Sequence, residues 1–180
     1  LQVFDSKKSR TYSFESANDT IPYQVPGNAL FRGEAPLSQQ AFETRFIVPK
    51  DIGYGGREGR ITFYAFNDDN EAAGYRDSIY VGGSADVSDT RGPDLQISFA
   101  GYEGFISGSM VGENPELVVE IADDKTGVNI TGEIGHRIML TVNRTDRTEL
   151  TDYFQYDQNS YLKGKVRYPL RDLSEGLHDL

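Results

Sequence analysis

Apolar positions recur with a period of two along most of this chain. Phe42-Glu43-Thr44-Arg45-Phe46-Ile47-Val48 places Phe42, Thr44, Phe46 and Val48 on one face of an extended segment. Ile61-Thr62-Phe63-Tyr64-Ala65-Phe66 alternates likewise, with aromatic residues on both faces. Further runs of the same kind are Asp77 to Val81, Leu95-Ile97-Phe99, Leu117 to Ile121, Arg137 to Val142 and Lys165 to Tyr168. They are β-branched and aromatic stretches bounded by Gly, Pro, Asn and Asp, which predicts strands joined by tight turns. No long stretch carries a 3.6-residue period. Short helical turns are expected at most at Val128–Gly132 and Leu170–Leu173. The expected class is all-β.

Residues 82–93 are small and polar and end in Gly-Pro, so they read as a connection between two modules of ordinary sandwich size. The expectation is two tandem immunoglobulin-like β-sandwiches, 1–83 and 92–180, with a linker over 84–91. Phe42, Phe46, Val48, Ile61 and Phe63 should form the first core. Leu117, Val119, Ile121, Ile138, Leu140 and Val142 should form the second. A weak repeat relates Phe46 to Ile52 with Val166 to Leu173: each run meets a Pro, which cannot donate to a ladder, and an Asp, an apolar residue and a Gly-containing turn follow. In the first copy the run Arg60 to Phe66 comes next. In the second, only Leu177 to Leu180 follow, so the second module is expected to lack its last strands and to show an open edge, as a piece of a longer protein would.

Charge narrows the function classes. Eighteen Lys and Arg against 28 Asp and Glu give −10, which disfavours binding to phosphate backbones, so no nucleic-acid partner is expected. No apolar run is long enough for a membrane-spanning helix. With no cysteine, disulfides, thiolate metal sites and a cysteine nucleophile are excluded.

The residues single out no catalytic, cofactor or metal site. His136 and His178 stand at a strand start and near the last residue, and neither position suggests a triad histidine. Asp68-Asp69-Asn70, Asp123-Asp124 and Glu113-Asn114 flank strands. Clustered oxygens suit calcium, with Asp123 or Asp124 its place, yet none has EF-hand spacing and Asx residues there ordinarily close turns. No metal or organic cofactor is expected to be needed for folding. Tyr153, Tyr156 and Tyr161 could form a sugar-binding platform or serve as half-buried cross-strand partners. No acidic pair stands out for glycosidase chemistry. Asn18, Asn129 and Asn143 fit the N-glycosylation pattern, and Thr20 and Ser78 fit an Asp-Ser/Thr-apolar O-glycosylation pattern.

Several stretches are more specific when taken together in order. They are Phe46-Ile47-Val48-Pro49-Lys50-Asp51-Ile52, Gly59 to Asp68, Gly74-Tyr75, Ile79-Tyr80-Val81-Gly82-Gly83, Gly92-Pro93 and Glu113-Asn114-Pro115-Glu116-Leu117. Gly127-Val128-Asn129, Gly135-His136, Gly164 to Leu170 and Leu173 to His178 complete the series. In this order and spacing the chain resembles the PorU family, the sortases of the type IX secretion system, in the region C-terminal to their gingipain-type cysteine peptidase domain. The resemblance covers roughly residues 21–180.

It implies a parent enzyme at the bacterial cell surface, associated with the outer membrane. That enzyme removes the C-terminal signal domain of secreted cargo and joins the cargo to anionic lipopolysaccharide. The partners it implies are the parent peptidase domain, cargo proteins with C-terminal signal domains, and an outer-membrane barrel of the PorV type. The family's catalytic Cys and His lie upstream of the matched region, so none is carried over and this chain is non-catalytic by itself. An adhesin-like or carbohydrate-binding pair of sandwiches is the alternative from the residues alone. A hydrolase built on carboxylates is the third.

Overall fold

The computed structural model describes residues 1–14, 19–50, 52–53, 58–81, 86 and 88–180. Strands β1 (Gln2–Phe4), β2 (Lys8–Ser13), β3 (Thr20–Val25), β4 (Ala29–Arg32), β5 (Gly59–Phe66) and β6 (Glu71–Ile79) make up the first half. The second half holds β7 (Asp94–Phe99), β8 (Glu116–Ala122), β9 (Met139–Val142), β10 (Asp146–Glu149), β11 (Phe154–Tyr156) and β12 (Lys163–Pro169), with one 3-10 turn at Thr151–Tyr153. Two four-stranded antiparallel sheets, β4-β1-β5-β6 and β11-β12-β8-β7, are accompanied by the ribbons β2-β3 and β10-β9. The chain is all-β, and its antiparallel sheets are consistent with β-sandwich modules. The expected linker falls partly on Ser84, Ala85 and Val87, outside the described residues, as do Asn18 and Asp51.

Alternation explains most of the second sheet, with Val118 buried on the opposite face and Leu95 and Ile97 exposed on the apolar one. Its register places Phe154, Tyr156, Val166, Leu117, Val119, Ile121, Leu95 and Ile97 on one face. The opposite face carries the cross-strand ion pairs Lys165–Glu120 at 2.8 Å and Arg167–Glu116 at 3.1 Å. Gly164 is required where it stands: a Cβ there would lie 2.3 Å from the Gln155 carbonyl oxygen and 2.6 Å from the Phe154 ring. Its lack of a side chain lets Phe154 and Tyr156 close down over β12.

The first sheet departs from the expectation. Phe42 to Val48 forms no strand, and the nearest ladder contact is the Ser38–Ala41 bridge around a turn with Gln39 and Gln40 at positive φ. The alternation is used by side chains instead. The Phe46 ring stacks on Phe31 at 5.3 Å, and Phe42 leans on Phe63 at 6.3 Å. Phe42 and Phe63 are exposed, and Phe46, Val48 and Ile61 are half-buried. The fully buried positions are Val3, Leu30 and Phe31. Leu30 is an extra residue where the β1–β4 register slips between Val3 and Phe4, so two neighbouring side chains of β4 are both enclosed.

In the second half Leu117 and Ile121 are buried as expected, while Val119, Ile138, Leu140 and Val142 are half-buried. The 128–132 and 170–173 segments form no helical turn. One buried cluster runs from Val3, Leu30 and Phe31 through Phe154 and Tyr156 to Leu117 and Val166. No helix among the described residues is long and apolar enough to cross a membrane.

Candidate functional surfaces

Two groups of side chains tie the first half of the chain to the second: Arg32 and Phe31 join β4 to the 150–156 segment, and Lys8 and Asn28 reach Glu133. Arg32 Nη1 donates to the carbonyl oxygens of Asp152 at 2.9 Å, Phe154 at 3.0 Å and Thr151 at 3.4 Å, and Nη2 lies 3.3 Å from the Asp152 carboxylate. A guanidinium is the one side chain with enough fixed donors to collect several carbonyls at a turn. Beside it the Phe31 and Tyr156 rings stack at 4.9 Å. The Tyr156 hydroxyl donates to the Val128 carbonyl, and burial pushes its phenol pKa up. Lys8 Nζ and Asn28 Nδ2 both donate to Glu133 Oε1, at 3.0 and 2.6 Å.

A second feature is an apolar groove of about 650 Å³ between the inner face of the second sheet and the 135–141 segment. Leu95, Ile97, Val119, Ile121 and Leu140 line it, and Leu180 stands at its side. Across the groove from the sheet, β9 contributes Met139, Leu140 and Thr141 to the lining. Leu177 to Leu180 form no strand: the Asp179 carbonyl accepts from the Asn143 N–H at 2.9 Å, and the His178 ring lies 3.0 Å from Asn143 Nδ2.

The sequence candidates are scattered. His136 sits in an exposed loop, its N–H bonded to the Glu133 carbonyl, far along the chain from His178. Asp123 is buried, and its Oδ1 accepts from the N–H groups of Lys125 and Thr126, both at 2.9 Å. Burial pushes its carboxyl up, but these backbone donors together with Gly127 win, so its pKa is lowered. That is the arrangement of an Asx turn. Asn67 closes the Asp68-Asp69-Asn70 turn in the same way. Asn114 accepts from the Asp172 N–H at 3.0 Å. No group of three or more His, Asp or Glu side chains among the described residues could hold a metal ion.

Tyr153, Tyr156 and Tyr161 do not form a common platform. Tyr156 is buried, and Tyr153 packs edge-on against Tyr168 at 5.0 Å. Exposed rings gather elsewhere, on β5 and β6: Tyr64, Phe66 and Tyr75. The signal for them was the aromatic residue on each face of the 61–66 run. Thr20 and Ser78 are both exposed, Ser78 as the extra residue of a β5–β6 bulge with φ of 65°.

No family model matches the chain, and no curated protein matches it. The chain is similar to PorU from Porphyromonas gingivalis, known from a crystal structure of its dimeric latent form, at 31% identity over 98% of this chain. It spans only 17% of that protein's chain, with a TM-score of 0.47.

Proposed function

We propose that this chain is a non-catalytic accessory segment of a type IX secretion system sortase, a rigid spacer and docking surface C-terminal to a cysteine peptidase domain. The observation that carries the reading is the ordered series of motifs from Phe46 to His178. The packing suits the role. A shared apolar cluster and the Arg32 fork hold the two sheets in one arrangement, and the Glu133 bonds add a tie between the two halves, which is what a spacer must do to set distances between other parts. The parent is the cell-surface, outer-membrane-associated enzyme. It removes the cargo's C-terminal signal domain and attaches the cargo to anionic lipopolysaccharide. The segment's partners are the peptidase domain, the cargo and a barrel of the PorV type.

Deletion of residues 1–180 from the full-length parent tests this, with cargo processing and surface attachment scored separately in cells. Loss of either, with the parent still exported, supports a scaffold role. Normal processing together with normal attachment rejects it.

A further inference from the structure

The outer face of the β5–β6 hairpin carries a row of side chains left open among the described residues. Its ladder sets Arg60 opposite Asp77, Thr62 opposite Tyr75, Tyr64 opposite Ala73 and Phe66 opposite Glu71, and directly opposed residues share a face. The Tyr75, Tyr64 and Phe66 side chains are 66%, 56% and 74% exposed. Their cross-strand neighbours Thr62 and Ala73 are small, so each ring keeps an exposed side: Tyr64 and Phe66 away from one another, and Tyr75 away from Arg60. The Tyr64 and Phe66 rings lie 5.7 Å apart with planes within 28° of each other.

Polar groups are already fixed at both ends of the row. Arg60 forks onto the Asp77 carboxylate at 2.5 and 2.8 Å and lies 4.7 Å from the centre of the Tyr75 ring. At the other end the Tyr64 hydroxyl donates to the Glu71 carboxylate. Four cross-strand pairs at two residues per step span about 20 Å.

We propose that this row binds a neutral, linear oligosaccharide, its sugar rings stacked on Tyr75, Tyr64 and Phe66 and its hydroxyls bonded to Glu71, Asp77 and Arg60. Shape and charge select this ligand class. The aromatic stripe is one residue wide, unlike the round apolar centre and polar rim of a protein interface, so it fits a chain-like ligand. An extended peptide would instead pair with the outer backbone edge of β6, an edge strand among the described residues. A single-stranded nucleic acid also stacks on aromatic rows. Here two carboxylates outnumber one guanidinium on the face and the chain carries −10, so phosphates and anionic sugars are repelled. The neutral saccharide keeps the stacking and gains hydrogen bonds from groups already held in place, at little ordering cost.

The test is an amide-shift titration of the full 180-residue chain with cellohexaose, maltohexaose and mannohexaose. Each is taken to about 10 mM, ten times the dissociation constant of a weak millimolar complex. Saturable shifts for at least one probe, centred on Thr62 to Phe66 and Glu71 to Tyr75, are expected. Phe66→Ala and Tyr75→Ala, each at an exposed position, should keep the melting temperature and weaken binding about ten-fold, the loss of one stacking ring. No shift with any probe, shifts centred elsewhere, or unchanged affinity in both folded variants overturns the proposal. Sedimentation showing that copies of the chain associate through this face, in a manner abolished by Phe66→Ala, also overturns it.

Discussion

Replacing Phe31 with Ala removes the ring where the two sheets meet. Phe31 is 1% exposed and stacks between Phe46 and Tyr156, at 5.3 and 4.9 Å. Deleting a fully buried aromatic side chain costs about 3–5 kcal/mol, because the burial energy is lost and a cavity is left behind. The site has little freedom to collapse, since β4 and β11 are each pinned by their own ladders, so the upper part of that range applies. At roughly 2–4 °C per kcal/mol for a chain of this size, a loss of about 4–5 kcal/mol should lower the melting temperature by about 8–20 °C.

Calorimetry and urea unfolding with two probes measure the effect. Because Phe31 contacts both halves, the whole transition should move as one. A double-mutant cycle with Tyr156→Ala should give a coupling of at least about 0.5–1.5 kcal/mol, the size of an aromatic pair. A loss below about 1 kcal/mol would refute the reasoning, as would a split scan in which one transition keeps its wild-type midpoint. Phe46→Ala should cost less than Phe31→Ala, since Phe46 is only half-buried.

Three further outcomes follow from the same geometry. Arg32→Met keeps the aliphatic stem but leaves three carbonyls without their shared donor; urea unfolding should show a loss of about 1–3 kcal/mol. Asp123 has a folded-state pKa below its unfolded value, so its contribution is present above the ordinary carboxylate range near 3.9 and is lost as pH falls through the lower folded value. Melting curves from pH 6 down to pH 2 should show this acid limb, and Asp123→Ala should shrink it. Adding a chelator should leave the melting temperature unchanged; a drop of several degrees would instead place calcium at Asp123 or Asp124.

Strands with one buried face were legible from alternation. Leu117 to Ile121, Lys165 to Tyr168 and Leu95 to Phe99 each occupy the ladder position that their period of two implied. The β2–β3 ribbon was not legible. It is exposed along nearly its whole length, and Pro22 stands inside β3, so neither burial nor propensity marks it. β1 and β11 are three residues long, too short to show a period. Phe42 to Val48 had a genuine alternation, but an apolar face records which side chains are buried, not whether the backbone bonds to a neighbouring strand. The β5–β6 ring row was half-legible: aromatics on both faces of 61–66 were visible, whereas the opposing Tyr75 needed the register. The full burial of the cross-strand partner Tyr156 was not legible, because it depends on Gly164 across the ladder, which sequence spacing does not reveal.

The central claim, that this segment positions other parts and performs no chemistry, is tested most directly on the purified full-length parent with and without residues 1–180. Hydrolysis of a short reporter peptide and processing of a full-length cargo protein are measured on the same samples. The kcat/KM for the short peptide should be unchanged by the deletion, and cargo processing should be lost. Equal processing of cargo by both forms, or hydrolysis of the peptide by the 180-residue chain alone, would contradict it.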